Sequence, residues 1–522
     1  AETRQRYQML APGQQMSFAQ SELAGLDSTN LQGLLSLSGT PPWDPAAQWQ
    51  ALADYPYACL EQTLSRAWPY LLTTADERAA WSQPTEGRKP VSEADLQRAL
   101  LQRLQRLQLP SGGFGLWDGR SDEEQWLTAY AADYLLARKE AGDAVPEAML
   151  NQAMNRLQSY LTDSQYGERW SSAPEHSRLA YQAYSAYVLA RVGKAPLATL
   201  RLVWEQQADH ARSGLPLLHL SLALSAMGDE QNAAKALSRA LATERGDDYL
   251  GDYGSPLRDQ ALELSLLRQH KLAAERWPAL SAKVADTLAH RQWLSTQERL
   301  ALLRLARFDP AVDWQARVTS SLGSGSLSGS APLQQGTPEA LAASAVTNEG
   351  KGSLYVQRTL IGYSEQAPTR LSQGISVTRS WFNSDGQRFD PIKVKVGDLV
   401  VVRLNVSSES AVPDALLVEM VPAGFELENP ALGNSIKLEE LSIEGKPAWQ
   451  SEWNDYLKHQ EFRDDRYTAA LDLSAGSNQQ LVYLMRAVTP GRYPVPPTQV
   501  EDMYRPELRA LGEDIHEVSI SE

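Results

Sequence analysis

Three patterns of apolar spacing divide the chain. From about residue 43 to 308, apolar positions recur at intervals of three and four, the period of a helix with one buried face. Leu60, Leu64, Ala67 and Leu71 step along one such face, with Pro69 placed to kink the run. Further amphipathic segments follow at 93–109, 126–138, 147–161, 178–192, 197–208, 215–227, 230–243, 256–269, 272–290 and 296–307. From about residue 373 the period becomes two. Ile375 and Val377 open a strand, and 393–406 reads as a strand pair turning at Gly397-Asp398. With 415–421, 468–473, 480–487 and 491–494 these make about seven strands, as a β-sandwich requires. The remaining stretches are mixed. Residues 14–25 and 31–37 each read as a short strand, closed by Gly39-Thr40-Pro41-Pro42. Residues 320–330 are Ser/Gly-rich and read as a loop, 352–362 as a strand, and 446–467 as a long surface connection.

The helical segments come in pairs joined by short turns, about a dozen in all, the number for a ring of six helical hairpins, an α/α toroid. Gly-rich or aromatic loops precede several of them: Ser111-Gly112-Gly113-Phe114-Gly115-Leu116-Trp117, Tyr166-Gly167-Glu168-Arg169-Trp170, Tyr249-Leu250-Gly251-Asp252-Tyr253-Gly254 and Gln292-Trp293. The helices that follow carry small side chains, such as Ala180, Ala183, Ala186 and Ala190, whose faces allow the close approach an inner ring needs.

Composition narrows the function. At 522 residues the chain is long enough for two to four domains, here of multidomain α plus β class. A formal charge of −15 argues against a nucleic-acid partner, which requires clustered Lys and Arg. A single cysteine rules out an internal disulfide framework and any multi-cysteine metal site. The seven histidines (His176, His210, His219, His270, His290, His459 and His516) show no ligand spacing, and His219 reads as part of a core helix. The longest apolar run, 215–227, is interrupted by His219 and Ser221 and is too short to span a bilayer. The chain opens on Ala1 without a basic-then-apolar leader, so it reads as a processed product or fragment with any signal or membrane anchor upstream.

The lone cysteine carries the candidate chemistry. It lies in Tyr55-Pro56-Tyr57-Ala58-Cys59-Leu60-Glu61-Gln62-Thr63, with Gln62 three residues on and so on the same helix face. A thiol and a carboxamide held there can condense, with loss of ammonia, into an internal thioester, an acyl group on a good leaving group. Pro56 suits the first turn of a helix, which would put Cys59 near its N-terminus, where the partial positive charge favours a departing thiolate. Taken alone, a buried cysteine also fits plain packing. The flanks decide: the motif resembles the thioester signature of the α2-macroglobulin family in its bacterial Cys-Leu-Glu-Gln form, rather than the Gly-Cys-Gly-Glu-Gln of vertebrate relatives. Trp126-Leu127-Thr128-Ala129-Tyr130 and Ser295-Thr296-Gln297-Glu298 also resemble signatures of that thioester domain and spread the likeness across the helical block.

The resemblance implies a layout and an activity. Residues 1–42 and 309–370 would be the two parts of a split, CUB-like β domain, 43–308 the toroidal thioester domain, and 371–522 a C-terminal, receptor-binding-like macroglobulin β-sandwich. The activity implied is that of a broad-spectrum periplasmic protease inhibitor, not an enzyme and without cofactor. Attack on the γ-carbonyl of Gln62 expels Cys59 and leaves Gln62 joined to a lysine of the protease. In the whole protein, cleavage of a bait region would expose the bond. Until then it must be kept from water, with Tyr55 and Tyr57 as candidate lid residues and Met503 and Tyr504, in Asp502-Met503-Tyr504-Arg505-Pro506, as shields from the last domain. Leu60 and Glu61 support the motif. Complement-like relatives carry a histidine after the Gly-Phe motif that redirects the acyl group to hydroxyls. Here no histidine lies between Gln62 and His176, and the loop offers Asp118, Asp122, Glu123 and Glu124 instead, which also fits a solvated turn. This departure favours direct attack by amines. Family members are often encoded beside a class A penicillin-binding protein, a candidate partner, and lipid anchoring to the inner membrane would come from upstream residues. Two alternatives stand beside this reading. One is a structural or interaction module of the cell envelope with an unreacted Cys59. The other is a toroid enzyme of the terpenoid cyclase or prenyltransferase type, for which Asp247-Asp248 and Cys59 are weak candidates.

Overall fold

The computed structural model describes residues 2–29, 31–53, 55, 58–81, 92–162, 170–336, 338–366, 369–388, 393–428, 441–448, 456–512 and 517–522. Contacts divide the chain into two units, Ala1–Glu365 and Gln366–Glu522.

The first unit contains helices α1 (Pro45–Ala53), α2 (Leu60–Ala67), α3 (Pro69–Leu72), α4 (Ala75–Trp81), α5 (Glu93–Leu107), α6 (Gln125–Glu140), α7 (Glu147–Tyr160), α8 (Pro174–Ala190), α9 (Leu197–Gln207), α10 (Gly214–Ala226), α11 (Glu230–Ala242), α12 (Pro256–Gln269), α13 (Trp277–Ala289) and α14 (Thr296–Arg307). The contacts run in a cycle: α2 on α6, α6 on α8, α8 on α10, α10 on α12, α12 on α14, and α14 back on α2. Helices of this cycle are buried nearly all round, as α10 is from residue 214 to 224. The helices between them pack one face against the cycle and leave the other in water; α11 buries Ala233, Ala236 and Ala240. Ser92, Ser213, Asp229, Ser255 and Ser295 cap helix starts with side-chain oxygens. The run expected at 60–71 is broken at Trp68: Pro69 cannot donate an N–H to the preceding turn, so α3 starts afresh there. Residues 272–290 likewise begin as a 3-10 turn, Ala274–Arg276, before α13.

Strands flank this helical block on both sides in sequence: β1 (Glu2–Leu10), β2 (Gln15–Phe18) and β3 (Gln32–Ser38) before it, and β4 (Trp314–Ser320), β5 (Gly323–Gly329), β6 (Leu333–Gly336), β7 (Ser344–Asn348) and β8 (Leu354–Gly362) after it. They mix in two sheets, β1-β8-β3-β6 and β2-β7-β4-β5, over a shared core that includes Met16, Phe18, Leu35, Leu37, Trp314, Val346 and Val356. The Ser/Gly-rich stretch expected as a loop is instead β5, paired with β4 from Ser320↔Gly323 to Trp314↔Gly329. Backbone pairing on an exposed edge needs no apolar side chain, and Gly329 lets the chain lie on Trp314, where a Cβ would come within 3.1 Å of the ring. Asp44, buried and with a positive φ of 51°, joins these sheets to the helices. It accepts from the Ala47 N–H at the start of α1 (3.2 Å) and from Gln357 Nε2 of β8 (3.0 Å).

The second unit is built of β9 (Leu371–Gln373), β10 (Ile375–Phe382), β11 (Lys393–Lys395), β12 (Leu399–Ser408), β13 (Val412–Met420), β14 (Phe425–Glu428), β15 (Ser442–Ile443), β16 (Lys446–Pro447), β17 (Leu457–Phe462), β18 (Arg466–Leu473), β19 (Asn478–Ala487), β20 (Gly491–Pro494), β21 (Gln499–Asp502), β22 (Arg509–Leu511) and β23 (Glu517–Ser521). Sheets β10-β12-β19-β14 and β17-β18-β13-β21-β22-β9 share one apolar core. Alternate residues of β12, Val400, Val402, Leu404 and Val406, face it. Leu399 and Val401 point the other way and are covered by Leu441, Ile443 and Ala448, which explains the unbroken apolar run. Two expectations are corrected. Residues 393–406 turn at Gly397-Asp398, yet β11 pairs in parallel with β23 while β12 pairs with β10 and β19. Within 446–467, expected as a surface connection, β17 pairs with β18 and Tyr456 is buried, its hydroxyl donating to the Gln480 carbonyl at 2.5 Å.

Candidate functional site

Helix α2 begins at Leu60, so Cys59 is its N-cap; Pro56 lies outside the described residues. The cap is reciprocal. The Gln62 N–H points at Cys59 Sγ (3.4 Å), and the Cys59 N–H donates to Gln62 Oε1 (3.2 Å). Gln62 Nε2 in turn donates to the Tyr55 hydroxyl at 3.3 Å. Cys59 and Gln62 have no exposed surface, and Tyr55 is half-buried. Tyr57 lies outside the described residues.

The surroundings fix this end of α2. The Leu60 N–H donates to the Leu116 carbonyl (2.7 Å), and Arg103 Nη2 bridges the carbonyls of Ala58 (3.0 Å) and Trp117 (2.9 Å). Glu61 is buried and accepts from Ser65 Oγ (2.5 Å), Thr296 Oγ1 (2.7 Å) and Gln297 Nε2 (2.8 Å), tying α2 to α14. Ser65 also meets the Tyr130 hydroxyl at 3.0 Å, and Thr128 Oγ1 accepts the Phe114 N–H at 3.0 Å. Motifs from three distant stretches, around Cys59, Trp126–Tyr130 and Thr296-Gln297, thus converge on one helix. Burial, and next the Glu61 charge, raise the Tyr130 phenol far above its ordinary range.

Beyond Tyr130 the helical interior is ionic. Arg245 bridges Asp252 (2.8 Å) and Asp259 (2.9 Å), and Arg258 contacts both while lying over the Trp126 ring. His176 Nδ1 accepts the Arg212 N–H, which leaves Nε2 to donate to Asp252 at 3.3 Å. Asp133 is buried, which alone would raise its pKa, yet Arg191 and Arg304 hold it below the usual range. His219 sits in the core of α10 stacked on Tyr184 and Tyr187, and burial lowers its pKa to about 3.

The acidic loop after the Gly-Phe motif is less solvated than its composition implies. Glu123 accepts from Arg156 Nε (2.7 Å) and the Tyr160 hydroxyl (2.5 Å), Glu124 from the Tyr253 hydroxyl (2.7 Å), while Asp118 and Asp122 are exposed. Asp247 and Asp248 are also exposed, so they line no interior cavity. Among the described residues no group of three His, Cys, Asp or Glu is placed to hold a metal, and no helix is long and apolar enough to cross a membrane. In the second unit, Met503 and Tyr504 are buried just after β21, in a turn where Asp502 Oδ1 accepts the N–H groups of Tyr504 (2.9 Å) and Arg505 (3.1 Å). Sequence reasoning missed Arg103 and the Arg245–Arg258 network, because an arginine on a helix face (Arg103, Arg258) or in a loop (Arg245) looks the same in sequence whether solvated or buried.

Comparison with known proteins places the chain. Residues 312–373 match the family model of the A2MG CUB domain and 374–507 that of the bacterial alpha-2-macroglobulin MG10 domain. The crystal structure of native Escherichia coli alpha-2-macroglobulin from domain MG7 to the C-terminus superposes with a TM-score of 0.92 at 37% identity, covering 100% of this chain and 82% of that one. The chain belongs to the bacterial alpha-2-macroglobulin family. Curated alpha-2-macroglobulins of Escherichia coli and Xylella fastidiosa are 39% and 38% identical over 96% and 97% of the chain. The chain spans about a third of the length of these relatives, 31% of each. Salmonella alpha-2-macroglobulin reacted with methylamine superposes with a TM-score of 0.90 at 39% identity, over 100% of this chain and 34% of that one. Within this alpha-2-macroglobulin framework, Met503 and Tyr504 fall in the stretch matched by the MG10 domain, and Cys59 and Gln62 in the helical block that precedes the CUB match.

Proposed function

We propose that Cys59 and Gln62 condense into an internal thioester, and that the whole protein uses it to trap proteases covalently through their lysine amines. The observation that carries this is the reciprocal cap: thiol and carboxamide are held at one buried helix end, each bonded to the other's backbone N–H. Family membership supports the inhibitor reading, and the reaction of the Salmonella relative with methylamine supports amine attack. The helical block 43–308 is read as an α/α toroid of six hairpins, with the cycle of helix contacts in its favour. Residues 1–42 and 309–370 are read as one split β domain and 371–522 as the last macroglobulin sandwich. The periplasm as location, an upstream anchor and a class A penicillin-binding protein as partner remain part of this proposal.

The test is intact mass with and without methylamine, together with thiol titration. A mass short by one ammonia, no titratable thiol, and methylamine uptake at Gln62 that frees Cys59 are expected. A full mass and a reactive thiol throughout would instead favour the unreacted envelope module. Tyr55, Tyr57, Met503 and Tyr504 are proposed to shield the bond. Met503→Ala should then shorten its lifetime in water, and an unchanged lifetime returns Met503 to ordinary packing.

A further inference from the structure

The carboxamide of Gln62 is held from both sides. The Cys59 N–H can only donate, so the atom it meets is Oε1, which leaves Nε2 facing the Tyr55 hydroxyl at 3.3 Å. Thiol and carboxamide are the reactants of condensation, and the groups around them match its demands. Charge develops on Oε1 as sulfur adds to the carbonyl, and the Cys59 N–H at 3.2 Å is aimed at that oxygen. The poor leaving group is the amide nitrogen, which departs as ammonia only if it gains a proton. The Tyr55 phenol is a proton-bearing side chain set against that nitrogen.

We propose that Tyr55 is a catalytic residue of thioester formation, the acid that protonates the departing nitrogen of Gln62, in addition to any part it has in covering the finished bond. The step balances without an outside reagent. The Sγ–Cδ bond forms and the Cδ–Nε2 bond breaks. The phenol proton passes to Nε2, which leaves as ammonia, and the Cys59 thiol proton returns to the phenolate oxygen. Run backwards, the same phenolate takes a proton from an attacking ammonia, so Tyr55 accelerates both directions alike. The inference rests on the thioester reading, and its failure has a different signature.

The test is Tyr55→Phe in the full-length protein, which keeps the ring as cover and removes the hydroxyl. Peptide mass at position 62 and thiol titration distinguish three states: thioester without thiol, uncondensed protein with thiol and Gln62, and hydrolysed protein with thiol and glutamate at 62. Wild type should be thioester and Tyr55→Phe largely uncondensed. Opening the bond with ammonia, removing the ammonia and following loss of thiol should show Tyr55→Phe re-forming it about 100-fold more slowly, the low end of general-acid effects. Re-formation at the wild-type rate, or glutamate at 62 in the variant, would overturn the proposal, the latter because it marks a lost shield. Replacing Tyr55 with 3-fluorotyrosine preserves shape and makes the phenol more acidic. The alkaline limb of the re-formation profile should move to lower pH, and an unmoved limb counts against Tyr55. A wild type that keeps Gln62 and its thiol would remove the thioester itself.

Discussion

The two units bury different things. In the C-terminal unit, β12 and β19 set Val400, Val402, Leu404, Leu481 and Met485 against Ala415, Leu417, Ala469 and Leu471. Into this apolar layer projects the Arg379–Glu419 pair at 2.5 Å, with the Tyr483 hydroxyl on the same carboxylate. The helical block instead fills its centre with long polar side chains: Arg245, Arg258, Asp252, Asp259, Asp133, Arg304, Glu61 and Gln297. Apolar contacts are non-directional and tolerate small shifts. Hydrogen-bonded ionic networks are directional, costly when incomplete, and fix the relative rotation of the helices that carry them. The Cys59–Gln62 cap hangs on such contacts, since Glu61 ties α2 to α14 through Thr296 and Gln297. The block therefore gains geometric definition from groups that add little net stability.

That contrast can be broken by experiment. The largest effects should follow from removing one partner of a buried ion pair. Asp252→Ala leaves Arg245 and Arg258 to share Asp259, and Glu419→Ala removes the carboxylate that Arg379 pairs with beside the Pro496 carbonyl; each should cost about 3–5 kcal/mol in denaturant unfolding. Hydrogen exchange should lose protection in the helical block for the first and in β10, β12 and β13 for the second. Losses spread equally over both units would erase the distinction.

A smaller effect concerns pH. Folded, His219 is kept neutral with its pKa lowered to about 3, while in the unfolded chain it takes up a proton near its ordinary value. Between the two values the unfolded state binds more protons, so its contribution to stability is complete above pH 6.5 and is lost as pH falls towards 3. From pH 7 to pH 5 this amounts to roughly 2 kcal/mol. His219→Phe, which keeps a ring against Tyr184 and Tyr187, should flatten that part of the stability profile of the helical block. An unchanged slope would assign the acid sensitivity to other groups.

Legibility followed the same division. The strands of the sandwich core were readable because apolar residues recur with period two, as in β10 and β18, or run unbroken where both faces are covered, as at the start of β12. The strand β1 was not, because as an edge strand it is largely exposed, and its Glu-Thr-Arg-Gln-Arg-Tyr-Gln sequence carries no alternation. The Ser/Gly-rich β5 was missed for a related reason, since its pairing with β4 rests on the backbone ladder and a Thr319–Ser324 hydroxyl contact rather than on apolar side chains. Gly397-Asp398 marked a turn correctly but could not say that β11 and β12 go to different sheets. At the site, the Cys59–Gln62 spacing was legible because a helix fixes it locally. The contacts of Tyr55 and Arg103 were not, because they depend on how loops fold over the helix end.

By itself the sequence determined the helical block, the change of period near residue 373, the thiol three residues before the glutamine, and a flanking motif that resembles the bacterial alpha-2-macroglobulin signature. These are local properties, set by side-chain period and backbone geometry within a few residues. Tertiary structure decided which helices close the cycle, that strands from both sides of the block share two sheets, and that Thr296 and Gln297 meet Glu61 some 235 residues away. It also decided that the Gln62 amide faces a tyrosine hydroxyl. Those choices depend on burial and hydrogen-bond satisfaction between segments far apart in the chain, and no local pattern encodes which distant partner completes them.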